Sequence, residues 1–278
     1  MNRQASSTIW RLLIASPLAR DGATNMALDE AILTAVAEGE SPPTLRFFAW
    51  DPPCVSIGYA QSMGQVVDLD ACRRDGLNWV RRPTGGRAIL HVDELTYSIV
   101  VPASEERVRG GVVESYRRLS LGLLAGLRLL GLNAAQSQTL QEQSTDLSPA
   151  CFDAPSHYEI TFQGKKLVGS AQVRRKKAVL QHGALPLSGD VGRLAHYLRL
   201  PDDERTALKE ELGHRAITLQ EAVGRPVSAE EAARALGRGF AEALNLRLKP
   251  GSLTPHEERL AGRLREGKYA NDEWNFKK

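Results

Sequence analysis

A mixed α/β fold, α+β in its strand pairing, is predicted by three observations in the sequence. Strand-like runs interleave with amphipathic helical patterns. Adjacent strand pairs are joined by turn sequences too short for a crossover helix, which requires a mixed rather than an all-parallel sheet. Residues 249–278 read as a small helical tail behind a main unit over 1–248, whose core spans about 35–248. The chain of 278 residues, 42% hydrophobic and 25% charged, is long enough to bury a substantial core.

The elements follow in order. Ile9 to Leu18 is an apolar run broken by Arg11 and Pro17, too short for a membrane span and without a clear cleavage site, so it reads as a first strand of a cytoplasmic protein. Asn25 caps a predicted helix that sets Leu28, Ile32 and Val36 on one face, with Asp29 and Glu30 near its positive end. Leu45 to Trp50 and Cys54 to Tyr59 read as strands joined by the turn Asp51-Pro52-Pro53. A short helix, Val67 to Asp75, precedes strands at 78–82, 88–92 and 95–101; Pro83-Thr84-Gly85-Gly86 must be a loop between the first two. Val112, Tyr116, Leu119, Leu123, Leu127 and Leu130 recur at helical spacing and predict a long helix from about Gly111. Helical patterns return at 202–212 and 218–223. Ser228 with Glu231, and Thr254-Pro255 with Glu257, mark two further helix starts.

Composition removes several function classes. Cys54, Cys72 and Cys151 fit neither a disulfide framework nor a metal-ligand spacing, and the histidines never take metal-binding spacing, so no metal is expected. A net charge of +3 is too weak to imply nucleic acid, and suits acidic protein partners. No P-loop and no G-x-S-x-G elbow is present.

The candidate chemistry lies in two stretches. Arg81-Arg82-Pro83-Thr84-Gly85-Gly86-Arg87 joins two strands through glycines that admit a ligand to the backbone, flanked by arginines able to pair with phosphate or carboxylate; a solvated surface turn fits the same residues. Cys151 follows Pro149 in a loop upstream of Gly164-Lys165-Lys166-Leu167-Val168-Gly169-Ser170-Ala171-Gln172. A cysteine attacks acyl groups as thiolate, and a nearby ammonium favours that form, so Cys151 with a lysine could form an acyl-thioester nucleophile; a buried inert thiol is the alternative. Alternation points Lys165 and Lys166 to opposite faces and groups Lys166 with Val168 and Ser170, while small residues at 169–171 leave room for a chain-like substrate or for close strand packing. Arg174 to Lys177 reads as a solvated hairpin turn or a docking patch for an acidic carrier. Cys54 reads as a buried thiol and Cys72 as a residue of a surface helix without a reactive role. His91 and His182 are structural or pocket-lining.

Taken together, Arg81 to His91, Gly164 to Gln172 and Gln181-His182-Gly183 resemble the motif set of the lipoate-protein ligase and octanoyltransferase superfamily, whose catalytic domain is shared with biotin-protein ligases. Asn25 to Glu30, Trp50 to Tyr59 and Lys268 to Phe276 extend the resemblance over nearly the whole chain. Arg87 replaces the third glycine of the ATP-using ligases, and Val92 to Tyr97 replaces their Asp-x-Gly-Asn stretch. With Ala150-Cys151-Phe152, these departures resemble the cysteine-dependent octanoyltransferase branch, the LipM type.

That resemblance implies a catalytic unit over 1–248 in which Cys151 takes octanoyl from acyl carrier protein, where it arrives on phosphopantetheine, and passes it to a lysine of a lipoyl domain such as glycine cleavage H protein. Lys166 falls on the partner-lysine position. Arg82, Thr84, Gly85, Gly86, Arg87, His91, Gly169, Ser170, Ala171, Gln172, His182 and Gly183 are implied as the acyl and substrate site, with a backbone amide near Gly85 or Gly183 as oxyanion donor and Arg82 and Arg87 facing acidic groups or the pantetheine phosphate. No ATP, metal, nucleic acid or membrane is expected, and a monomer is. The alternatives are an ATP-dependent lipoate or octanoate ligase, a transferase between two lipoyl-type proteins, and a non-catalytic carrier-binding module.

Overall fold

A computed structural model describes residues 8–137, 159–175 and 177–277. β1 (Thr8–Arg20) leads into α1 (Gly22–Glu38), and β2 (Thr44–Trp50) returns beside it. β3 (Cys54–Ile57), α2 (Met63–Val66), α3 (Leu69–Arg74), β4 (Asn78–Arg81) and β5 (Ile89–His91) form a smaller unit before β6 (Glu94–Pro102) re-enters. Then come α4 (Val112–Leu129), β7 (Ala135–Gln136), β8 (Ile160–Phe162), β9 (Lys165–Arg175) and β10 (Ala178–Pro186). α5 (Asp202–Arg215), α6 (Leu219–Val223), α7 (Ala229–Ala243), β11 (Leu246–Pro250), α8 (Pro255–Leu264) and α9 (Asp272–Asn275) complete the chain.

The main sheet runs β11-β1-β2-β6-β10-β9-β8-β7, and a second sheet runs β4-β3-β5. β1 is parallel to β2 and β11, while β6, β10, β9 and β8 pair antiparallel, so the sheet is mixed as expected. The expected pairing across Asp51-Pro52-Pro53 is not what forms: β3 pairs with β4 and β5, and the turn carries the chain from one sheet to the other. Prolines at 52 and 53 fix a bend but do not choose the partner; β3 is buried throughout, and its partners lie on both sides within the second sheet.

One face of the main sheet packs under α4 and α7, where Leu119, Leu123, Leu127, Leu236 and Phe240 meet Phe47, Tyr97, Ile99 and Val101. Each such side chain contributes about 1.5–3 kcal/mol through burial. The other face packs against α1, through Ile32, Leu33 and Val36 with Val100 and Leu180. α1 starts a turn earlier than Asn25 suggests, because the Asp21 carboxylate accepts from Thr24 N and caps it. It is also not amphipathic: Met26 to Asp29 and Ala31 to Val36 are all buried, between the sheet and the tail.

The tail is bolted to this frame. Thr254 and Glu257 form the capping box of α8, and Glu257 also accepts from both Arg11 terminal nitrogens, at 2.8 and 2.5 Å. Beyond it, the buried Arg81 guanidinium donates to the carbonyls of Trp274, Asn275 and Lys277. No helix among the described residues is long and apolar enough to cross a membrane.

Candidate active site

A cavity of about 440 Å³ opens between the two sheets and the first turn of α4. Its lining gathers Arg82, Gly85, Gly86, Arg87, His91, Lys166, Gly169, Ser170, Ala171, Gln172, His182 and Gly183 from stretches far apart in sequence. Met26, Trp50, Ile89, Val112, Val113, Tyr116 and Ala184 supply apolar wall. Thr84 alone of the described candidates stands behind the lining, fully buried. Cys151 lies outside the described residues.

Behind the wall a buried chain of polar groups fixes the His182 ring. Asp29, on α1, pairs with Arg46 Nη1 at 2.8 Å, accepts from Ser98 Oγ at 2.8 Å and faces His182 Nδ1 at 3.2 Å. His182 Nε2 lies 2.7 Å from Thr84 Oγ1. Burial pushes the His182 imidazole below its usual range against the opposing pull of Asp29, so the ring is neutral at pH 7. Burial works to raise Asp29, but the His182 hydrogen bond and the Arg46 charge outweigh it and hold the carboxylate low. A neutral ring that donates from Nδ1 to Asp29 accepts at Nε2 from the Thr84 hydroxyl, which ties β10 to the glycine loop.

The loop itself is held from inside by Arg82. Its Nε and Nη2 donate to Gly85 O at 3.2 and 2.9 Å, Nη2 also to Arg87 O at 2.7 Å, and Nη1 to Ser56 O and Oγ at 3.2 and 3.1 Å. Among the described residues these bonds engage all three guanidinium nitrogens, so Arg82 shapes the loop from inside. Gly86 has φ +92°, a conformation that favours glycine, and a Cβ on Gly58 would meet Gly86 O at 1.9 Å. Ser56 Oγ continues to His91 Nε2 at 2.7 Å, and His91 Nδ1 to Glu94 at 2.8 Å, while the ring stacks on Trp50 at 3.9 Å. Both histidines are thus satisfied in the structure and line the cavity at once.

Lys166 reaches the cavity because of an irregularity in β9. Ile160 pairs with Val168 but Thr161 pairs with Lys166, leaving Leu167 as an extra residue, and Leu167 and Val168 both enter the main core. Strict alternation is therefore broken between Lys166 and Ser170. Lys166 is 5% exposed with Nζ 2.5 Å from Glu159 Oε1, whereas Lys165 points outward to Gly213 O. Farther along, Ser170 Oγ meets Tyr97 OH at 2.7 Å, and a Cβ on Gly183 would lie 2.4 Å from Ser170 Oγ. Gly183 sits between Tyr97 and Ser170 in the ladders on either side of β10, so its amide belongs to the sheet. The amides of Gly85 and Gly86 have no acceptor among the described residues.

Residues 21–241 match the family model described as the lipoyl protein ligase A/B catalytic domain. The chain belongs to that family. Among relatives, proteins named Octanoyltransferase LipM from Kyrpidia tusciae and Symbiobacterium thermophilum are 48% and 50% identical, over 97% and 98% of this chain and 99% of each of theirs. Among solved structures, a bipartite lipoate protein ligase from Thermoplasma acidophilum superposes with a TM-score of 0.79 at 29% identity, covering 98% of this chain and 96% of that one. The lipoyl ligase fold accounts for the mixed sheet and for the helical tail.

Two site groups escaped the sequence reading of this family member. In the sequence Asp29 reads only as a carboxylate near the positive end of a helix, and Glu159 carries no role. The apolar residues on every side of Asp29, Met26 to Leu28 and Ala31 to Leu33, signal a helix buried all round, where a carboxylate must find a partner. No comparable signal marks Glu159. Cys72, expected on a surface helix, is buried in the second core, and burial raises its thiol to about 11, with Asp68 and Asp75 adding to the effect. Cys54 is buried as expected, its thiol pushed well up.

Proposed function

We propose that this protein is an octanoyltransferase of protein lipoylation that carries the acyl group from an acyl carrier protein, through a thioester on Cys151, to a lysine of a lipoyl domain such as glycine cleavage H protein. The observation that carries the reading is Lys166, an ion-paired side chain buried in the wall of a largely apolar cavity. At about 440 Å³ the cavity falls in the size range of small-ligand pockets, roughly 300–1,000 Å³. The names of the relatives support octanoyl transfer.

The Cys151 thiolate attacks the thioester carbonyl, the carbon–sulfur bond to the carrier breaks, and the departing thiolate takes up a proton. The acceptor amine then attacks the enzyme thioester, the carbon–nitrogen bond forms, and the sulfur leaves as Cys151 thiolate while the amine proton is relayed through Lys166. The carrier thioester and the enzyme thioester each hold the acyl group already activated, so neither step requires ATP. The Gly85 and Gly86 amides are the donors suited to the oxyanion in both steps. Gly169 and Ala171 leave width for the acyl chain, and the neutral His182 holds Thr84 and the loop in register.

Intact-mass measurement after mixing with octanoyl-carrier protein tests the proposal. The protein should gain one octanoyl group without ATP, and Cys151→Ser should lose both the adduct and turnover. An enzyme that turns over unmodified, or one that uses free octanoate only when ATP is supplied, refutes it; the second result assigns the chain to the ligase chemistry of its structural relatives.

A further inference from the structure

Outside the cavity, cations from two distant parts of the chain converge on one exposed aromatic ring. Tyr59 is 40% exposed and follows Gly58, the residue packed against Gly86 of the cavity loop. Its backbone is fixed: N donates to Thr84 O at 2.8 Å and O accepts from Arg81 Nη1 at 2.7 Å. The same guanidinium donates to Lys277 O at 2.6 Å, so the loop and the end of the tail are positioned as one unit.

On that platform, Lys277 Nζ donates to Tyr59 OH at 3.3 Å and lies 5.4 Å from the ring centroid, and Arg175 from the β9–β10 hairpin sits 5.4 Å from it. Lys268 lies 4.0 Å from the neighbouring Trp274 ring but is neutralised by Glu30 at 2.5 Å. Arg175 and Lys277 have no carboxylate partner among the described residues. The hydrogen bond and charge of Lys277, with further pull from Arg175 and Lys268, lower the Tyr59 phenol, which marks a positive local field. Arg174, by contrast, turns inward to Val108 O, Gly111 O and Ser115 Oγ.

We infer that the surface formed by Tyr59, Arg175 and Lys277 is the docking site of the acidic donor carrier protein, with its cations beside the path of the phosphodiester that tethers the acyl arm. This rests on the reading above of a protein-borne acyl donor. Charge decides between the two protein substrates. A donor arm brings an anion to the protein, whereas the acceptor brings a lysine ammonium, which the cations of this surface repel.

The test compares the wild type with the double variant Arg175→Glu, Lys277→Glu, using two donors: octanoyl-acyl carrier protein and octanoyl-pantetheine, which has neither phosphate nor protein. Rim charges act mainly on association, so kcat/KM with the carrier donor should fall by roughly 10- to 100-fold at low salt, with a flatter salt dependence. The rate with octanoyl-pantetheine should hold within about twofold, and Arg175→Gln, Lys277→Gln should fall between. Equal losses with both donors, no loss with either, or a rise confined to the KM of the lipoyl domain would each overturn the inference. Calorimetric binding of the carrier protein to wild type and variant reads the surface even without transfer, and equal affinities there overturn it too. Failure of the wild type to turn over either donor counts against the reaction alone.

Discussion

Asp29→Asn removes a charge from the most enclosed ion pair of the site, and its cost can be worked from the structure. Asp29 and Arg46 have side chains 0% and 3% exposed and stand 2.8 Å apart, so deleting the carboxylate leaves a guanidinium without its counter-charge in a dry interior. Breaking a buried pair from one side costs about 3–5 kcal/mol, and the remaining amide oxygen, still able to accept from Arg46 or Ser98, sets the lower end for Asn. An exposed pair serves as the control: Arg238 and Glu242, 3.9 Å apart with side chains 71% and 59% exposed, should cost less than ~1 kcal/mol when broken. Urea unfolding at pH 7.5 reads both, and a cycle with Arg46→Met isolates the coupling. The pH dependence has a fixed sign. The folded protein keeps both His182 and Asp29 below their ordinary values of 6.5 and 3.8, so the unfolded chain binds the proton first at each. Stability from these groups is complete above 6.5, begins to fall below it through His182, and falls further below 3.8 through Asp29. Asp29→Asn should lose the second decline. A loss under ~1 kcal/mol for Asp29→Asn would falsify the claim that this pair organises the site.

Arg82→Lys should lower acyl transfer at least tenfold with a smaller effect on stability than Arg82→Ala, because an ammonium cannot reproduce the fork that holds Gly85 O, Arg87 O and Ser56; initial rates beside melting curves separate the two effects. Gly183→Ala should destabilise by about 1–3 kcal/mol in urea, since its new methyl would lie within 2.6 Å of Ser170 Oγ, Gly169 O and Tyr97 Cε1. Ala171→Leu, which narrows the cavity wall, should favour shorter acyl thioesters over octanoyl, measured as a ratio of kcat/KM values across chain lengths.

Much of this arrangement was legible in the sequence, because local chemistry dictates it. Thr254 with Glu257 forms the predicted capping box, Ser228 accepts from Glu231 N, and the apolar spacing from Val112 yields α4 almost to the residue. The motif stretches at 81–91, 164–172 and 181–183 do meet in one cavity. What stayed hidden depends on pairing between distant segments. Prolines announce a bend after Trp50 without saying that β3 joins another sheet. The apolar residues around Asp29 signal that it needs a buried partner, but not that the partner is an arginine from β2. The two arginines before Pro83 look alike in sequence, yet one binds the tail and the other the glycine loop.

That last difference bears directly on how the site works. A trans peptide points its carbonyl and its amide in opposite directions, so when Arg82 draws Gly85 O toward itself it turns the Gly86 amide away, with no acceptor among the described residues. Arg87 O is drawn in the same way, so these two carbonyls are committed to a protein donor while the Gly85 and Gly86 amides have no acceptor among the described residues. Thr84, bonded to His182, anchors the start of this loop, and Gly58 packs against Gly86 at its crest. The donors suited to a developing oxyanion are thereby oriented before any substrate arrives, which is where electrostatic catalysis has its largest effect. A buried arginine that holds the loop carbonyls can thus matter to the reaction without touching the acyl group.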